Sequence, residues 1–86
     1  MAVLVKMPLG AYRSFLGRLP LTGRGYAILK KSVIERTRDS SIVEILCQIE
    51  DAKLILDSAY QFYPGAAPYI EDALSVVSGV EEIGEV

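Results

Sequence analysis

The sequence predicts an all-α domain: a small bundle of three to four helices, built on an antiparallel hairpin and completed by self-association. Three observations carry that expectation. Residues 42–63 place Ile42, Ile45, Ile49, Ala52, Leu56, Ala59 and Tyr63 at alternating three- and four-residue steps, the spacing of a packed helical seam. Residues 68–79 repeat the pattern with Ile70, Ala73, Leu74 and Val77, and only "YPGAA" separates the two stretches, short enough to fold them back on each other. Finally, 51% of the 86 residues are hydrophobic, and a body this small buries only about 60% of the surface its unfolded chain exposes. The surplus points to a partner, and a second copy is the simplest one.

Residues 1–20 read as an N-terminal arm or irregular helix. "MAVLV" suits a short strand or an extended arm against another copy. Leu9, Tyr12, Leu16 and Leu19 fall at helical spacing that Gly10 and Gly17 weaken. Residues 22–39 read as a basic helix burying Tyr26, Leu29, Val33 and Ile34, with Thr22 as its cap. Ser41 and Glu44 have the spacing of a capping box, so 41–63 is expected to be a long central helix of about six turns, stopped at Pro64-Gly65. That helix is apolar on most sides. Val43, Cys47 and Leu54 form a second stripe, and Ile55 and Phe62 point in a third direction. Residues 67–79 form the C-terminal helix, with Pro68 at its first position, Glu71 and Asp72 in its first turn and Gly79 at its C-cap. Residues 80–86 read as an acidic tail offering Ile83 and Val86 as docking points.

Charge divides the chain sharply. Residues 1–39 hold eight basic and two acidic side chains, a net of +6, whereas residues 40–86 hold one basic and nine acidic, a net of −8. Such a split serves an anionic partner, or lets the two halves face each other within one chain or between copies. Within the basic half, "LTGRGYAILKK" suggests a phosphate loop, but neither the P-loop nor the dinucleotide glycine spacing is present. Arg24, Lys30, Lys31, Arg36 and Arg38 remain the candidate anion or nucleic-acid contacts, although helical projection does not gather them into one stripe.

Catalytic chemistry finds little support. The chain has no His and one Cys, so the commonest general base and metal ligand is missing. Cys47 has carboxylates, not bases, as its nearest charged neighbours in sequence, which disfavours a thiolate. The adjacent pairs Glu50-Asp51 and Glu71-Asp72 splay about 100° apart on a helix and read as solvated faces. Aromatic residues gather instead at "YQFYPGAAPY", a composition suited to contact surfaces.

The expected function is a small non-enzymatic protein–protein interaction module acting as regulator, adaptor or inhibitor. Its predicted interface is Leu54, Ile55, Phe62, Tyr60, Tyr63 and Tyr69. The expected partners are a second copy, as homodimer or higher homo-oligomer, and another protein. The alternative is a nucleic-acid-associated regulator using the basic half. No cofactor and no metal are expected. No stretch is apolar enough to span a membrane, and a single cysteine fits the reducing cytoplasm.

Overall fold

The computed structural model describes residues 1–85, with side chains through Val77. In chain order the elements are β1 (Ala2–Pro8), α1 (Leu9–Arg18), α2 (Arg24–Ser32), a 3₁₀ turn (Glu35–Thr37), β2 (Ile42–Gln48), α3 (Ile49–Phe62), a second 3₁₀ turn (Pro64–Ala66) and α4 (Ala67–Glu85). The all-α expectation is therefore wrong: β1 and β2 form a two-stranded antiparallel sheet, and the class is mixed α/β.

The error lies in residues 41–48. "IVEILCQ" alternates strictly in burial, with Val43, Ile45 and Cys47 inside and Ile42, Leu46 and Gln48 exposed. That is a strand's period of two. Apolar Ile42 and Leu46 on the outer face disguised it as a helix that was apolar all round. Ser41 and Glu44 accordingly form no capping box. The long central helix starts only at Ile49, where Glu50 and Asp51 complement the dipole of its first turn.

"AVLVKMP" alternates in the same way, burying Val3, Val5 and Met7. It pairs with β2 of its own chain along the full register from Ala2↔Gln48 through Leu4↔Leu46 to Pro8↔Ile42. The flanking bonds Leu9 N–H to Ser41 carbonyl (2.9 Å) and Ile49 N–H to Met1 carbonyl (3.0 Å) fix the phase. Odd-numbered β1 residues exchange hydrogen bonds with β2, and even-numbered ones face away. Pro8, which has no N–H to give, falls at an even position, where the ladder needs none.

All four helices gather on the face of the sheet that carries the odd-numbered residues. α4 contributes most against β1, α2 against β2, and α3 lies in contact with both strands. Tyr12 and Phe15 of α1, Ile28 and Leu29 of α2, Ala52, Ile55 and Ala59 of α3, and Ala67 and Ile70 of α4 close one continuous core with the strands. The predicted helix–helix hairpin is present, but it joins α3 to α4 and not 42 to 79.

The basic segment is shorter than predicted. α2 begins after Gly23, which caps it with backbone alone, so Thr22 makes no capping bond. It ends at Val33, because Val33 bridges Ile45 and the Ile34 N–H donates to the Glu44 carbonyl at 2.8 Å. β-branched residues accept that extended geometry readily. Gly25 packs closely on α3: a Cβ there would stand 2.8 Å from Ser58 Oγ. The glycine is what lets α2 approach α3. Downstream, α4 runs on through Gly79 to Glu85, so Gly79 is not a C-cap. The docking role expected of Ile83 and Val86 lies outside the described side chains.

The accessible surface is 5252 Å², close to the roughly 5000 Å² of a compact monomer of this mass. The chain's own core absorbs most of the apolar surplus, so the case for a partner rests on where the remaining apolar side chains lie.

Candidate functional site

Among the described residues, no helix covers one side of the sheet. Its even-numbered residues make four cross-strand rows: Ala2 with Gln48, Leu4 with Leu46, Lys6 with Glu44, and Pro8 with Ile42. Leu4, Ile42 and Leu46 are 40%, 46% and 51% exposed there. A two-stranded sheet normally shows polar residues on its wet face, so three large apolar side chains in such a position make this face a candidate contact surface. The Lys6–Glu44 row is ionic: Glu44 takes Arg36 at 3.2 Å and Lys6 at 3.9 Å.

The two edges of the sheet differ. Beside β2, Ile34 bonds the Glu44 carbonyl, and Thr37 Oγ1 accepts the Glu44 N–H at 3.0 Å while donating to the Ile34 carbonyl at 2.6 Å. Thr37 is the one buried polar residue among those described, and its hydroxyl is fully used. Beside β1, the outward N–H and C=O groups of Ala2, Leu4 and Lys6 meet no backbone partner among the described residues. An open groove of about 460 Å³ runs there, with the β1 edge as one wall and Tyr69, Asp72, Ala73, Val76 and Val77 of α4 as the other. Val76 is 67% exposed.

Of the interface residues predicted from sequence, only Tyr69 reaches this groove. Ile55 is fully buried in the chain's own core, and Leu54, Phe62 and Tyr63 are half-buried against it. Tyr63 stacks on Phe15 with ring centroids 6.5 Å apart and carries the Arg18 guanidinium at 5.0 Å from its centroid. Tyr60 is exposed, and its hydroxyl donates to Glu71, a bond that raises the phenol's pKa. The aromatic junction thus mostly closes the end of the core.

The candidate basic residues are all exposed but do not act alike. Arg36 and Arg38 are held by Glu44 and by Glu35 (3.0 Å), and Lys30 Nζ lies 6.0 Å from the Tyr26 ring centroid. Arg24 and Lys31 have no carboxylate within 4 Å among the described residues, nor do Arg13 and Arg18.

Cys47 lies behind the sheet, where burial, reinforced by Asp51, pushes its thiol pKa up. Burial likewise raises that of the Tyr12 phenol, which donates to the Leu29 carbonyl at 3.2 Å. Among the described residues no three His, Cys, Asp or Glu side chains converge as a metal site. No helix among them is long and apolar enough to cross a membrane.

Leu4, Ile42 and Leu46 were missed as site residues because a helical reading of 41–63 hid the sheet. The signal that would have found them is the matched alternation of "AVLVKMP" and "IVEILCQ". Compared with known proteins, the chain matches no family model and finds no significant match among curated proteins or solved structures.

Proposed function

We propose that this chain is a small non-enzymatic protein–protein interaction module, a regulator, adaptor or inhibitor that works by covering a partner's surface. The observation that supports it is the uncovered sheet face bearing Leu4, Ile42 and Leu46. Burying such a patch drives association, and the split between a basic first half and an acidic second half orients the encounter. A second copy is one such partner, and a reducing cytoplasmic setting suits the single buried thiol.

The test is mass by light scattering across a dilution series, combined with cross-linking of bound proteins in an extract. Wild type should assemble with itself or with a defined partner, and Ile42→Lys/Leu46→Lys should abolish that while leaving the fold intact. A wild type that stays monomeric and captures nothing sinks the reading.

Arg13, Arg24 and Lys31, exposed and without carboxylate partners among the described residues, favour a second reading, a nucleic-acid-associated regulator. That binding would fall steeply with salt, whereas apolar association would not.

A further inference from the structure

We infer that the groove between β1 and α4 receives an extended, positively charged peptide segment of a partner protein, which adds to the sheet as a third strand beside β1. The inference rests on the protein-interaction reading above and names the partner's chemistry. Three features converge on it. Ala2, Leu4 and Lys6 hold out main-chain donors and acceptors at strand spacing with no backbone partner among the described residues, the groups that strand addition uses. Behind that edge, Ala73, Val76 and Val77 line a groove of about 460 Å³, so alternate side chains of an added strand meet an apolar wall. The wall is also charged: Asp72 of α4 lines the groove and has no cation within 4 Å among the described residues. Lys6, the one cation on the strand wall, already has Glu44 within 3.9 Å.

The partner strand must be short. Pro8 cannot donate at the far end of the edge, so the ladder spans Ala2 to Lys6. A second copy's β1 is the poorer occupant, because its inward-facing Val3, Val5 and Met7 are held in their own core and cannot also fill the groove against α4.

The probe is a nine-residue peptide alternating valine with lysine, titrated into the full chain and followed by backbone amide shifts and hydrogen exchange. Controls are the same peptide with glutamate for lysine and two forms N-methylated at alternate positions, one set in each phase. The lysine peptide should shift and protect the Ala2, Leu4 and Lys6 amides. One N-methylated form should bind at least tenfold more weakly and the other nearly as well, since a docked strand offers only one edge to β1. The glutamate peptide should also bind at least tenfold more weakly, and Asp72→Lys and Val76→Lys should each weaken binding of the lysine peptide.

Shifts centred elsewhere, equal binding of both methylated forms, or equal binding of the glutamate peptide would each overturn the inference. So would concentration-dependent protection of these amides without peptide, which would assign the edge to a second copy. Should the double lysine variant of the sheet face still lose its partner while no peptide moves β1, edge docking alone falls and the broader reading stands.

Discussion

Thr37 Oγ1 accepts the backbone N–H of Glu44 at 3.0 Å, and through that bond a residue of the connecting turn seals the outer edge of β2. The same hydroxyl donates to the Ile34 carbonyl, so it joins both strands of the short bridge at once. Thr37→Val keeps the shape and removes both bonds, leaving the Glu44 N–H without its acceptor. A buried donor left unpaired costs about 1–3 kcal/mol, and urea unfolding should show a loss in that range. Thr37→Ser should recover most of it.

Alanine scanning across β2 should give a two-residue rhythm. Ile45→Ala, at a fully buried position, should cost about 2–4 kcal/mol by transfer and cavity formation. Leu46→Ala, next in sequence but half exposed, should cost under about 1 kcal/mol. A helix at these positions would instead give losses recurring every three to four residues.

The approach of α2 to α3 at Gly25 can be tested by a paired substitution. Gly25→Ala forces the Ser58 hydroxyl, which bonds the Leu54 carbonyl at 3.1 Å, to move aside, for a loss of about 1 kcal/mol. Ser58→Ala alone should be nearly neutral, and the double variant should regain wild-type stability. Additive losses would show that the two residues do not meet.

Alkaline pH should destabilise the fold through Cys47 and Tyr12. Both hold their protons more tightly when folded than unfolded, because burial disfavours the charged forms. Between the unfolded and folded pKa values the native state therefore binds more protons. Its advantage is complete below the ordinary values of 9.0 for the thiol and 10.0 for the phenol, and declines as pH rises through the raised ones. Urea midpoints from pH 7 to 11 should fall on the alkaline side, less steeply in Tyr12→Phe and Cys47→Ala. Iodoacetamide should label Cys47 far more slowly in the folded chain than in urea.

The hairpin of α3 and α4 was readable because Ile49, Ala52, Ala59, Ile70 and Ala73 keep a helical period and Pro64-Gly65 breaks it. The sheet was not, and for a definite reason. A strand is recognised by contrast between its faces, and Ile42 and Leu46 remove that contrast. The residues that obscured the strand are the ones that make the outer face a candidate site, so the two misreadings have one cause. Of the candidate anion contacts, Arg24 and Lys31 are exposed without a carboxylate partner among the described residues, whereas Arg36 and Arg38 are paired with Glu44 and Glu35 around the 3₁₀ turn. The Arg38–Glu35 pair is three residues apart and so lies within reach of a local reading, whereas Arg36 meets Glu44 only because the chain turns into β2.

β1 and β2 stand far apart along the backbone: the Met1 ammonium reaches Gln48 Oε1 across 47 positions. A ribosome delivering this segment N-terminus first must therefore release Val3, Val5 and Met7 well before their sheet partners exist. α1 and α2 close locally and have no such delay. Until Cys47 and Gln48 leave the exit tunnel, the nascent chain shows a naked hydrophobic strand, open on both margins to a chaperone or to its neighbours on a polysome. Assembly of this small fold is gated by synthesis past its midpoint.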